Sequence, residues 1–152
     1  MVKYVHTNII AKDWKNLASF YIEVFKCRTV PPERNQQGNW LSKGTGVANA
    51  HLQGLHLRLP GYGEIGPTLE IYSYSNMIES AKPPAANRQG FGHLAFEVED
   101  VKQKLEEVIS AKGKLLGEIV EKEIPNVGKI TFVYATDPEG NILEIQNWDY
   151  YS

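Results

Sequence analysis

Residues 92–101 have the sequence GHLAFEVEDV, which predicts a strand that carries a histidine and ends at a helix. Asp100 suits the N-cap of that helix, and Gln103 three residues later completes a capping box. The same succession occurs 87 residues earlier, where His6 corresponds to His93 and Asp13 corresponds to Asp100. We infer that the chain contains an internal repeat whose halves each begin with a strand, an Asp cap and a helix.

The ends of the two halves also match. Leu-Glu-Ile occurs at 69–71 and again at 143–145, with an aromatic residue four positions after each Glu. This offset is 74, so the first half carries 87 − 74 = 13 extra residues. We assign them to the polar, Gly-rich segment 31–50. The Pro-Pro pair and polar content of 81–90 predict a linker between the halves.

Three strand-like runs follow each predicted helix, which gives a βαβββ pattern in each half. The sequence therefore predicts an α+β protein made of tandem βαβββ modules at 1–80 and 91–152, forming one domain over 1–152. We expect its eight strands to form one curved sheet around a cavity, with the helices outside. The predicted strands lie near 27–31, 51–59, 67–74, 114–121, 128–136 and 141–147, besides the two that carry the histidines.

Composition limits the classes of function. The 152 residues are 42% hydrophobic and 22% charged, which is typical of a globular domain of this length. A net charge of −2 argues against binding to nucleic acid or to an anionic membrane. No signal peptide and no membrane-spanning stretch is predicted, so we expect a cytoplasmic protein. The single cysteine, Cys27, excludes an internal disulfide and is expected to be a small buried hydrophobe.

Four candidate metal ligands follow from the repeat. A His lies on the first strand and a Glu on the last strand of each half: His6 and Glu70, then His93 and Glu144. A Glu between Leu and Ile on a strand is costly unless it is paired or binds a metal. If the halves pair about a pseudo-twofold axis, the four side chains meet in one cavity. Solvated carboxylates and hydrogen-bonded structural histidines are the alternative.

These segments resemble the vicinal oxygen chelate superfamily, which includes glyoxalase I, methylmalonyl-CoA epimerase, extradiol dioxygenases and the fosfomycin- and bleomycin-resistance proteins. The resemblance covers nearly the whole chain and rests on FYIEVF (20–25), LEIYSY (69–74), GHLAFEVEDV (92–101) and DPEGNILEIQNW (137–148). It implies one divalent metal ion per chain (Zn²⁺, Ni²⁺, Co²⁺, Mn²⁺ or Fe²⁺), a small-molecule substrate and a homodimer.

The fourth ligand discriminates among these relatives. In the superfamily, glyoxalase I and the epimerase take a ligand from the end of the first module, and Glu70 stands there. The resemblance implies a metal-dependent lyase or isomerase that acts on a small 2-hydroxy or 2-oxo carbonyl compound through a metal-bound enediolate. Glu144, before Glu70, is the expected catalytic base. An Fe(II) extradiol-type dioxygenase and a non-catalytic dimeric protein that binds a drug or metabolite are the alternatives.

Candidate substrate contacts lie on neighbouring strands, and packing on the strand surface is the alternative for each. Bacterial glyoxalase I proteins commonly have Arg and Asn, which hold glutathione, where this chain has Ile10 and Tyr74. This departure argues against glutathione as the substrate carrier. The candidate substrate-binding residues are His56, Arg58, Tyr72, Tyr74 and Tyr134.

Overall fold

The computed structural model covers residues 1–152 and divides into two units, Met1–Ala81 and Lys82–Ser152. The elements in chain order are β1 (His6–Ile10), α1 (Trp14–Phe25), β2 (Arg28–Gln37), α2 (Asn39–Thr45), β3 (His51–Arg58), β4 (Thr68–Tyr74), β5 (Leu94–Glu97), α3 (Val101–Ser110), β6 (Lys114–Leu115), β7 (Val120–Ile124), β8 (Gly128–Thr136) and β9 (Ile142–Tyr150). None of the three helices has the length and apolar character needed to cross a membrane.

The first unit is a four-stranded sheet in the order β1-β4-β3-β2, with β1 parallel to β4 and the other pairs antiparallel. Helix α1 packs on β3 and β4. Its N-cap is Asp13, which accepts a 3.1 Å hydrogen bond from the backbone N–H of Asn16. Because side chains alternate along a strand, Leu69 and Ile71 are buried in the core while Glu70 and Tyr72 lie on the other face. We call this second face the open face of the first unit.

The second unit repeats this plan. Its sheet has the order β5-β9-β8-β6, with β5 parallel to β9, and α3 packs on β8 and β9. Asp100 caps α3 by accepting a 2.9 Å hydrogen bond from the N–H of Gln103. The predicted turn between β8 and β9 is present, since Gly140 N–H donates to the carbonyl of Asp137 at 3.1 Å. The α+β class and the tandem modules are thus confirmed.

The strand count and the single sheet were wrong. There are nine strands in two separately hydrogen-bonded sheets, one in each unit. The run predicted near 114–121 is interrupted, because Leu116 and Gly117 both donate to the carbonyl of Tyr134. This irregularity divides one edge strand into β6 and β7, which pair with successive parts of β8.

The segment 31–50 was also predicted incorrectly as the site of all 13 extra residues. It contains most of β2 and the whole of α2. By strand register His56 pairs with Glu70 as Tyr134 pairs with Glu144, so β3 and β8 are offset by 78. Nine extra residues (87 − 78) therefore precede β3, and four (78 − 74) lie in the loop between β3 and β4.

Helix α2 lies beside the open face. Leu41 of α2 forms a buried cluster with Ala50 and Leu52, and Tyr72 and Tyr74 pack against that cluster. Leu52 lies on the open face, because it is separated from His56 by an even number of residues on β3. The extra residues of the first unit therefore form an apolar wall at one end of its polar face.

Candidate functional site

Glu70 lies at the centre of the open face of the first unit. Strand register places it directly between Asn8 on β1 and His56 on β3. The side chain of Glu70 is only 9% exposed, which is unusual for a carboxylate. Its position is a direct result of strand alternation, since Leu69 and Ile71 on either side point into the core.

Side chains of β1 and β3 contact the Glu70 carboxylate, which is also hydrogen-bonded to Tyr72. His56 Nε2 lies 2.9 Å from Oε1, and His6 Nε2 lies 3.3 Å from Oε2. Asn8 Nδ2 donates to Oε2 at a longer 3.4 Å. Polar contacts to both oxygens offset the cost of removing the charge from water. The structure therefore brings the predicted pair His6 and Glu70 together and adds His56 to it.

Tyr72 extends this group. Its hydroxyl lies 2.7 Å from His56 Nε2, and burial, with the neighbouring Glu70 charge, raises the pKa of Tyr72 to about 12. Burial lowers the pKa of His56, against the opposing effect of Glu70. At neutral pH the tyrosine is therefore protonated and the imidazole is neutral, the form in which histidine binds metals or accepts protons.

Gly54 makes room for the Tyr72 ring. The two residues are register partners, and a Cβ on Gly54 would lie 2.5 Å from Tyr72 Cδ1 and 2.0 Å from the carbonyl oxygen of Ile71. No side chain larger than hydrogen fits there without separating β3 from β4. The absence of a side chain at position 54 thus lets the tyrosine lie across β3 beside His56.

The second unit contains the equivalent pair with fewer partners. His93 Nε2 lies 2.9 Å from Glu144 Oε2, and the Glu144 side chain is 15% exposed. Tyr134 is the register partner of Glu144, and its ring centroid is 4.8 Å from that of His93. Partial burial, followed by the Glu144 charge, raises the pKa of Tyr134. Tyr134 therefore occupies the position that His56 has in the first unit.

The remaining predicted substrate contacts are placed differently. Arg58 Nη1 donates to the carbonyl of Gly66 at 3.0 Å, while its Nε is buried without a partner. Tyr74 is packed against the α2 cluster. Sequence reasoning missed the contact of His56 with Glu70. A hairpin centred on Gly63 would have paired them, because 56 and 70 are equally distant from 63.

Each unit therefore joins an imidazole nitrogen to a carboxylate oxygen, the atom types that hold a divalent transition metal. One pair supplies only two of the four ligands that a tetrahedral ion needs. The structure contains no group of three or more His, Cys, Asp and Glu side chains placed to hold a metal ion. The chemistry of the donors fits a metal, and the observed contacts are hydrogen bonds between imidazoles and carboxylates within each unit.

Comparisons with known proteins agree with this fold. The sequence model of the Glyoxalase/Bleomycin resistance protein/Dioxygenase superfamily matches residues 3–145. A glyoxalase family protein from Bacillus cereus is 19% identical, with 97% of this chain and 93% of that chain covered and a TM-score of 0.77. A glyoxalase/bleomycin resistance protein/dioxygenase family enzyme from Burkholderia phytofirmans PsJN is 16% identical, with coverage of 95% and 97% and a TM-score of 0.59. A search of curated proteins finds no significant match.

Proposed function

Because the chain belongs to the Glyoxalase/Bleomycin resistance protein/Dioxygenase superfamily, we propose that it is a metal-dependent lyase or isomerase of the glyoxalase I-like type. Its substrate is a small 2-hydroxy or 2-oxo carbonyl compound. One observation carries the proposal: the same contact between a His and a Glu occurs in both modules at repeat-equivalent positions. These contacts are His6 to Glu70 at 3.3 Å and His93 to Glu144 at 2.9 Å.

The proposed metal ligands are His6, Glu70, His93 and Glu144. Two neutral imidazoles and two carboxylates suit Zn²⁺, Ni²⁺, Co²⁺, Mn²⁺ or Fe²⁺. When bound, such an ion acts as a Lewis acid that polarises the substrate carbonyl and makes the neighbouring C–H more acidic. The two carboxylates balance the charge of the ion, which favours binding of a divalent rather than a monovalent cation.

The two carboxylates differ in a way that supports separate roles. Glu70 is held by His6, His56 and Asn8, which contact both of its oxygens. Glu144 has a single close partner, His93. A general base must leave its resting contacts to reach the substrate proton, and fewer contacts make this movement easier. We therefore assign proton abstraction at the carbon next to the carbonyl to Glu144, and a fixed supporting role to Glu70.

Metal binding is tested first. Zn²⁺, Ni²⁺, Co²⁺, Mn²⁺ and, under anaerobic conditions, Fe²⁺ are added to chelator-treated protein, and the bound metal per chain and the melting temperature are measured. A ligand at about 100 times its Kd stabilises the native state by ~2.7 kcal/mol. For a chain of this length that corresponds to a rise of about 5–11 °C in melting temperature. We expect one ion per chain. No bound ion and no shift with any metal would favour a non-catalytic binding protein.

Proton transfer is tested by deuterium incorporation from solvent into a panel of hydroxy-ketones and thioesters at saturating metal. Loss of a general base costs ~10²–10⁴ in rate, so Glu144→Gln should lose most exchange while retaining metal. Glu70→Gln should mainly lower metal affinity. Glu97→Gln, an exposed carboxylate on β5, is the matched control and should leave exchange unchanged. Exchange at the wild-type rate in Glu144→Gln would transfer the role of base to Glu70.

Two outcomes would support the other classes. Consumption of oxygen with Fe(II), without deuterium exchange, would identify a dioxygenase of the same fold. Tight binding of a small molecule without turnover or metal would identify a sequestering protein. We also propose that the chain forms a homodimer and functions in the cytoplasm. Sedimentation equilibrium and fractionation of cells measure these two properties directly.

A further inference from the structure

The open face of the first unit carries a cation that the proposed metal ligands leave unused. Arg34 lies on β2 opposite Gly54, and Gly54 lies opposite Tyr72 on β4. Directly opposed residues on antiparallel strands project to the same face. The register of β2 shifts between Val30, which pairs with His56, and Arg34, which pairs with Gly54. In this stretch β2 has two more residues than β3. The two additional residues preserve the alternation, so Arg34 stays on the open face, and they place it opposite Gly54.

Arg34 has no acidic partner. Its side chain is half-buried, makes no ion pair and donates a hydrogen bond to the carbonyl of Pro32. In contrast, Arg28 on the same strand forms a 2.5 Å ion pair with Glu64. A guanidinium has five N–H donors, so most of those of Arg34 remain available to a ligand.

Arg34 lies next to the centre of the face. Strand register places it in one cross-strand row with Gly54 and Tyr72, adjacent to the row of His56 and Glu70. Gly54 has no side chain, so no atom beyond the backbone stands between Arg34 and the Tyr72 ring in that row of the sheet. Arg34 and the Tyr72 hydroxyl are therefore neighbouring hydrogen-bond donors beside the His56–Glu70 contact.

We propose that Arg34 binds a carboxylate group of the substrate and so selects 2-hydroxy or 2-oxo acids over uncharged carbonyl compounds. The assignment of substrate class rests on the proposed function, whereas the anion site can be tested without it. A guanidinium holds a carboxylate by two parallel hydrogen bonds. A single guanidinium opposite Gly54, beside the negative Glu70, matches a carboxylate monoanion better than a phosphate dianion.

The position of the site limits the size of the substrate. An anion bound by Arg34 above Gly54 lies over β3, the strand next to Glu70. Neighbouring strands are ~4.8 Å apart, so the carboxylate would lie only a few bonds from a carbon near Glu70. The expected substrate is therefore a short acid whose carboxylate is close to the reacting carbon.

The test measures binding to metal-free protein, so that its result does not depend on catalysis. Pyruvate, the uncharged hydroxyacetone and inorganic phosphate are titrated separately in the presence of chelator, and the NMR shifts of the His56 ring protons give each Kd. Arg34→Gln removes the cation, and Arg34→Lys keeps a charge without the fork of donors. Arg28→Gln, on the same strand, is the matched control.

We expect pyruvate to bind with saturation and more tightly than hydroxyacetone. Charge-assisted hydrogen bonds of this kind predict a Kd that is ~10- to 100-fold weaker in Arg34→Gln. Arg28→Gln should match the wild type, and Arg34→Lys should fall between the wild type and Arg34→Gln. Equal affinity for pyruvate and hydroxyacetone in the wild type would overturn the proposal, even if the Gln variant did not fold. So would tighter binding of phosphate than pyruvate, or unchanged pyruvate affinity in a folded Arg34→Gln.

Failure of this site and failure of the proposed function are distinguishable. If the wild type neither binds a metal nor exchanges deuterium, the proposed enzymatic function is refuted. The titrations of metal-free protein still test the anion site. Conversely, the enzyme could be active and bind hydroxyacetone and pyruvate with equal affinity. That result would support the proposed function and exclude Arg34 as a binding site for the substrate carboxylate.

Discussion

Replacing Gly54 with Ala tests whether the close approach of β3 and β4 supports the candidate site. The added Cβ would lie 2.0 Å from the carbonyl oxygen of Ile71 and 2.5 Å from Tyr72 Cδ1. The oxygen belongs to the backbone, so the contact cannot be relieved by a rotamer change. The two strands must separate by about 1 Å or more, because nonbonded carbon and oxygen atoms need ~3 Å or more between centres.

The expected loss of stability in Gly54→Ala has two contributions, overpacking and weakened hydrogen bonds between the strands. Overpacking of a filled position costs ~1–3 kcal/mol, and each weakened ladder hydrogen bond adds ~0.5–1.5 kcal/mol. We expect Gly54→Ala to lower the free energy of unfolding by about 2–4 kcal/mol in urea denaturation. In a thermal scan, the corresponding fall in melting temperature is about 4–16 °C for a chain of this length.

The same substitution at a second glycine should raise the free energy of unfolding instead of lowering it. Gly44 lies within α2, and a Cβ there would meet nothing within 4 Å. Alanine is favoured over glycine inside a helix by ~0.5–1 kcal/mol, so Gly44→Ala should stabilise by up to that amount. A Gly54→Ala protein as stable as the wild type, measured beside Gly44→Ala, would refute the close contact that we describe between β3 and β4.

Two further predictions concern buried polar atoms. The Asp137 carboxylate is buried and accepts hydrogen bonds from the N–H of Glu139 and from the N–H and amide of Asn141. Asp137→Ala should therefore lower the free energy of unfolding by ~2–4 kcal/mol, measured by denaturant unfolding. The control is Asp149→Ala, at an exposed position. An effect of Asp137→Ala no larger than that of the control would contradict this prediction. Burial raises the pKa of Cys27 from 9.0 to about 12, so ionisation of the unfolded thiol removes stability as pH rises from 9 to 12. Cys27→Ala should make this alkaline decline shallower by up to ~1.4 kcal/mol per pH unit, and parallel curves would exclude the thiol as its cause.

The repeat and the equivalent positions of its His and Glu residues could be predicted from the sequence because they depend on local patterns. A cap motif needs residues only a few positions apart, and alternation along a strand decides whether a side chain faces the core. This was sufficient to identify His6, Glu70, His93 and Glu144 as equivalent pairs. It also predicted the α+β class and the turn at Asp137.

The partners of these residues were decided only by the tertiary structure. His56 contacts Glu70 because the nine-residue loop from 59 to 67 sets the register of β3 on β4. Arg34 lies opposite Gly54, rather than opposite Leu52, because β2 contains two additional residues opposite β3. A register shift of one residue moves a side chain to the opposite face, and the preferences of individual residues do not specify that shift. Loop length and strand irregularity, acting between distant parts of the chain, therefore determine the surroundings of each pair.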